Sequence, residues 1–151
     1  NGRRYGAAIF RCHMPYWGYP PHIDSVSIRD RRTNYAVHRF NTQLGGILLL
    51  QSPENKPTRF DTIIYRSEWK KNLELEHYSA GGKGIQTEVF HEYANKNQIE
   101  SCGISLAEGD IYFFNSHRLH EAPRFTGNRP RIVLAIFFGY TEEDPEIFVW
   151  S

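Results

Sequence analysis

His22-Ile23-Asp24-Ser25-Val26-Ser27-Ile28 reads as a β-strand that carries an H-x-D motif at its start. Side chains two apart in a strand project from the same face, so His22 and Asp24 reach one point together. A short H-x-D arises often by chance and says little alone. Far downstream, His120 offers a second imidazole, and eleven residues further on Arg131 opens an apolar run. Two imidazoles and one carboxylate on one side of a metal leave other positions open, an arrangement that suits non-haem Fe(II). Arg131 adds a permanent cation whose planar fork matches a carboxylate.

The run from Arg131, Arg131-Ile132-Val133-Leu134-Ala135-Ile136-Phe137-Phe138-Gly139, is the clearest strand in the chain. One face carries Arg131, Val133, Ala135 and Phe137, a charge beside small and apolar residues, as in a barrel interior that holds a ligand. Further strands are expected over 5–11, 37–42, 46–51, 62–65, 99–106 and 111–114. Gly45-Gly46 is read as a kink between two of them, and consecutive apolar residues at 47–50 suggest burial on both faces. Turns are expected at 14–21, 52–57, 107–110 and 126–130, and a charged surface loop at 29–34. Thr87 followed by Glu88 to Ala94 predicts an N-capped helix ending near Asn97. Residues 67–77 read as a short helix or an irregular lid. Many short strands, few helices and no repeats predict a mainly β fold, a jelly-roll sandwich or barrel with one or two short helices. No linker or shift in composition divides residues 1–151, so one domain is expected.

Composition narrows the function classes. With 40% hydrophobic and 23% charged residues, the chain is an ordinary globular sequence. Its many aromatics, ten Phe, nine Tyr and three Trp, favour β packing. A net charge of +1 demands neither nucleic acid nor an anionic membrane as partner. The only cysteines are Cys12 and Cys102, and no N-x-S/T sequon occurs, which fits a reducing, cytoplasmic setting. No apolar run approaches the ~20 residues that span a bilayer. Gly81-Gly82-Lys83-Gly84 lacks the Lys-Ser/Thr ending of a phosphate loop. Gly2-Arg3-Arg4 is not a signal peptide, and the chain is expected to be the ordered part of a longer protein that carries further N-terminal elements.

Four motifs carry a family resemblance. They are His22-x-Asp24, Leu44-Gly45-Gly46-Ile47-Leu48-Leu49, the stretch Gly109-Asp110-Ile111-Tyr112-Phe113-Phe114 leading to His120-Glu121-Ala122-Pro123, and Asn128-Arg129-Pro130-Arg131. Together they resemble the Fe(II)/2-oxoglutarate-dependent oxygenases, in both their prolyl-hydroxylase-like and phytanoyl-CoA-hydroxylase-like branches, from Pro21 to about Tyr140. The resemblance implies a cupin-like double-stranded β-helix with Fe(II) on His22, Asp24 and His120. It implies 2-oxoglutarate on that iron with its far carboxylate on Arg131, and O2 in the last position. The implied activity is hydroxylation of an unactivated C–H, with release of succinate and CO2. Related aliphatic halogenases have Gly or Ala in place of the carboxylate, so Asp24 argues for hydroxylation or another oxidation and against halogenation.

Rival residues stand beside two of these assignments. His117 competes with His120, which the family pattern favours. Arg129 competes with Arg131, but precedes Pro130 and belongs to the turn. His13, His38, His77 and His91 show no ligand spacing and read as surface or core. Tyr16 and Trp17 are expected to line a substrate pocket, and Asn41 and Thr42 to hydrogen-bond the co-substrate. A cavity beside the metal is expected to be lined partly by residues 67–98. A small molecule is the expected substrate. A protein side chain of the prolyl type, a non-catalytic β-barrel binding module and a cupin-like dioxygenase without a co-substrate are the alternatives.

Overall fold

The computed structural model describes residues 5–28, 33–56, 58–68 and 85–151. Two antiparallel sheets organise them. The larger is built on β8 (Arg131–Thr141), which pairs with β3 (Thr42–Gln51) along one edge. The other edge of β8 is shared by β1 (Ile9–His13) and β9 (Asp144–Trp150), and β6 (Ile111–Asn115) completes the sheet beyond β3. The smaller sheet runs β2 (Tyr19–His22), β7 (Arg118–Ala122), β4 (Thr62–Glu68), β5 (Ser101–Ile104). One helix, α1 (Thr87–Lys96), and a 3-10 turn at Ala36–Arg39 are the helical elements among the described residues. This is the mainly β, jelly-roll arrangement expected from the sequence.

Alternation places the core. Leu119 on β7 is fully buried with Ile23, Tyr65 and Ile85 against Phe90 and Ala94, which lie four apart on one face of α1. His120, the next residue on β7, faces the other way, into the space between the sheets. A second cluster joins Val26, Val37, Phe40 and Trp150. It explains why residues 37–42 do not form the expected strand: a 3-10 turn brings Val37 and Phe40, three apart, to one side.

Other differences have local causes. Gly45 and Gly46 make no kink; β3 runs through them. A Cβ on Gly45 would lie 2.7 Å from the Phe114 ring, and one on Gly46 would lie 2.8 Å from both Phe113 and Ile136. The pair gives room to aromatic rings on both faces. Helix α1 begins after Gln86, without a side-chain cap, so Thr87 lies inside it. It ends at Asn97, whose side chain donates to the Tyr93 carbonyl, followed by Gln98 at φ 52. β2 occupies part of the expected turn at 14–21 and stops at His22, so Asp24 lies just beyond its end. As an edge strand, β2 tolerates Pro20 and Pro21. Residues 69–77 of the expected lid, with His77, and the glycine-rich stretch 81–84 lie outside the described residues.

Candidate metal centre

Antiparallel pairing closes the distance between the two histidines. His22 on β2 and His120 on β7 are direct cross-strand partners, so both project from one face, with ring centroids 4.3 Å apart. Asp24 follows the end of β2. Its Oδ2 lies 3.8 Å from His22 Nε2 and 3.5 Å from His120 Nε2. One donor atom from each of the three lies within 4.8 Å of the others. Ligand bonds of about 2.1 Å at right angles would separate donors by about 3 Å, so small movements would close the set on one ion.

Backbone contacts set the imidazoles up for this. His22 Nδ1 lies 2.6 Å from the Pro20 carbonyl, and His120 Nδ1 lies 2.9 Å from the Arg118 carbonyl. A carbonyl oxygen only accepts, so each Nδ1 carries the proton. Nε2 of each ring faces the Asp24 carboxylate, a donor to it when the ring is protonated and a bare lone pair for a metal when the ring is neutral. The ring of Phe114 packs edge-on to His120 at 4.6 Å. Asp24 is held through its backbone: its N–H donates to the Ser116 carbonyl at 3.0 Å, and its carbonyl accepts from Gln43 Nε2. The same Gln43 accepts from the Val26 N–H at 3.0 Å, clamping the loop to the opposite sheet. Burial opposes ionisation of Asp24, but the hydrogen bond from His120 and the charges of His22, His120 and Arg11 hold its carboxyl well below the usual range.

A cavity of about 40 Å³, open on one side to a wider mouth, lies between the sheets beside this cluster. Arg131, Val133, Ala135 and Phe137 of β8 line it, as the alternation of the sequence implied. Arg131 is 5% exposed and makes no hydrogen bond among the described residues. Its Nε lies 3.8 Å from Oδ1 of the fully buried Asp61, too far for a hydrogen bond. Asp61 spends its other oxygen on Lys56 Nζ at 2.8 Å and the Leu106 N–H at 2.9 Å. Burial draws the Arg131 pKa down, against the raising influence of Tyr112 and Asp61. The guanidinium is therefore desolvated with its donors unspent.

The rival residues separate cleanly. His117 lies in the tight turn between β6 and β7 and is not part of the cluster. Arg129 is exposed and bonds Glu108 at 2.6 Å, whereas Arg131 opens β8 inside the cavity. Asn41 is exposed and Thr42 contacts it; neither lines the cavity. Tyr16 and Trp17 are 70% and 73% exposed and stand outside it, while Tyr19 takes a place on its wall. The described part of the 67–98 segment does not line this cavity. Residues 85–88 and His91 border a neighbouring cleft that shares Tyr19, Glu121 and Ala122 with it. There the buried Glu121 accepts from Tyr65 and pairs with His91 at 2.8 Å, tying α1 to β7 behind the metal face. The sequence reading missed Gln43, whose signal is a polar residue at a buried strand position. It also set His13 aside as surface or core, yet His13 lines the cavity as the cross-strand partner of Arg131. Burial, with the charges of Arg131 and Arg11, lowers its pKa to about 4.

No family model and no curated protein matches this chain. Solved structures do. The chain is similar to a crystal structure of an N-substituted L-amino acid dioxygenase from Burkholderia ambifaria in complex with α-ketoglutarate, that is, 2-oxoglutarate. The TM-score is 0.69 at 22% identity, over 96% of this chain and 52% of the other. The chain has the fold of that dioxygenase. A second structure of the same enzyme gives a TM-score of 0.66 at 21% identity, over 96% and 53% of the two chains. The chain thus spans about half the length of the dioxygenase it matches.

Proposed function

We propose that this chain is an Fe(II)- and 2-oxoglutarate-dependent oxygenase domain that hydroxylates an unactivated C–H of a small molecule. One observation carries the reading: His22, Asp24 and His120 bring their donor atoms together, with both imidazole Nδ1 atoms on backbone carbonyls and both Nε2 atoms facing Asp24, in the same cavity as a buried arginine whose Nε has no hydrogen-bond partner. The donor set, two nitrogens and one carboxylate oxygen, suits Fe(II) with room for further ligands. Bound there, iron with 2-oxoglutarate and O2 supplies C–H oxidation with release of succinate and CO2.

The chain's own residues do the rest. The carbonyls of Pro20 and Arg118 hold the rings in register, and Gln43 holds the Asp24 loop against them. Arg131 pairs with the far carboxylate of the keto acid and so orients it. Phe114, Val133 and Ala135 keep water from the cavity wall. Similarity to an enzyme of N-substituted L-amino acids supports a small-molecule substrate. Anaerobic addition of Fe(II) and 2-oxoglutarate is expected to produce a charge-transfer absorption, and O2 then yields succinate in proportion to the 2-oxoglutarate consumed. A protein that binds neither, or forms no succinate with both present, would refute the reading.

A further inference from the structure

Arg11 stands on β1 opposite Val133, on the face that looks between the sheets. It borders two spaces at once. One is the metal cavity. The other is an adjoining cleft of about 290 Å³ bounded by Tyr5, Tyr35 and Trp150, which shares Arg11, Asp24 and Phe137 with the first. Asp24 is thus reached from both sides, and a molecule lying in the cleft lies against the metal centre.

The guanidinium of Arg11 has no hydrogen bond or ion pair among the described residues. Half-buried Arg118 pairs with Glu68 at 3.1 Å, and even the buried Arg131 has Asp61 nearby. Arg11 is a half-buried cation at the meeting of two cavities with its fork unspent. Its charge is felt by both Asp24 and His13. Along β8 its partner Val133 lies two residues from Arg131, about 7 Å, so the two arginines define separate anion positions. A single planar guanidinium fork matches one carboxylate in a bidentate pair.

We propose that Arg11 anchors a carboxylate of the primary substrate, which enters by the Tyr5–Tyr35–Trp150 cleft and passes Phe137 to reach the metal centre. This rests on the oxygenase reading above. It assigns the substrate class as apolar molecules bearing one carboxylate, distinct from the co-substrate held by Arg131.

The test uses acids and their uncharged amides: N-acetyl-L-leucine against N-acetyl-L-leucinamide, and phenylacetate against phenylacetamide, with phenyl phosphate as a third anion. Dissociation constants are measured by NMR on the chain loaded with Mn(II) and 2-oxoglutarate, so that no turnover intervenes. At least one acid is expected to bind ten times more tightly than its amide. Arg11→Gln is expected to erase that preference and leave 2-oxoglutarate affinity in place, while Arg11→Lys, which keeps the charge, retains more of it. Acids and amides that bind alike, a preference that survives Arg11→Gln, or equal loss in the lysine and glutamine variants would overturn the anchor. Tenfold weaker 2-oxoglutarate in Arg11→Gln would reassign the residue to the co-substrate, and Arg11-dependent preference for phenyl phosphate would refute the carboxylate. Chemical shifts of the Arg11 side chain in the metal-free chain read acid binding separately. An absence of metal or 2-oxoglutarate binding would sink the oxygenase reading, whereas shifts that ignore the acids would sink only this one.

Discussion

The two sheets face each other across one cavity with opposite chemistry. The smaller sheet and the loop beyond its edge present two imidazoles and a carboxylate; backbone carbonyls hold the rings through Nδ1, and Asp24 is fixed through its own backbone. The larger sheet presents Arg131, Arg11 and His13, none of which has a hydrogen-bond partner in the protein among the described residues. One wall carries a donor set that could hold a cation. The other carries donors without partners among the described residues. The contrast shows how a jelly roll separates two recognition tasks: strand pairing fixes one ligand set, while desolvation sharpens the other.

The contrast yields four predictions. The largest effect belongs to the first wall: Asp24→Ala is expected to weaken Fe(II) by more than about a hundredfold, since even outer supports of a metal site carry ten- to hundredfold effects. Calorimetric titration that finds unchanged Fe(II) affinity would break the assignment. On the opposite wall, Arg131→Gln is expected to cost about 3 kcal/mol of 2-oxoglutarate binding, roughly a hundredfold, with Fe(II) affinity intact. Comparable losses of both ligands would mean that the walls are not independent.

His13 tests the desolvation of that wall through pH. Unfolded, it takes up a proton near its ordinary 6.5; folded, only near 4. Between those values the unfolded state binds more protons, so stability falls as pH drops through that window. At pH 5 the loss attributable to His13 is about 2 kcal/mol relative to pH 7. Denaturant unfolding of wild type and His13→Gln at both pH values measures it, and parallel losses in the two would remove His13 as the cause. The smallest effect is the clamp between the walls: Gln43→Leu frees the Asp24 loop and is expected to weaken Fe(II) about tenfold. Equal affinity in that variant would show that the Ser116 contact alone holds the loop.

Much of the metal wall was legible in the chain. The residue types of H-x-D can be read locally, although β2 ends at His22 and alternation does not place Asp24. Arg131 follows from the parity of one long apolar strand. The rest depends on what lies across the fold. β2 hides behind Pro20-Pro21, which is permitted because the strand is an edge. β9 pairs with β8 through Glu142-Glu143, a turn without the Gly or Asn that marks hairpins. Residues 37–40 carry strand-like side chains, yet coil because Val37 and Phe40 share a pocket with Trp150.

By itself, the order of residues determined the ligand types, the parity of β8 that aims Arg131 and the mainly β class, because a two-residue period needs no partner to be read. Only the tertiary structure decided that His22 stands opposite His120, that Gln43 reaches the Asp24 backbone and that Arg11 and His13 share the cavity. Those facts follow from strand register and from which charges end up without water, and both are properties of the packed sheets.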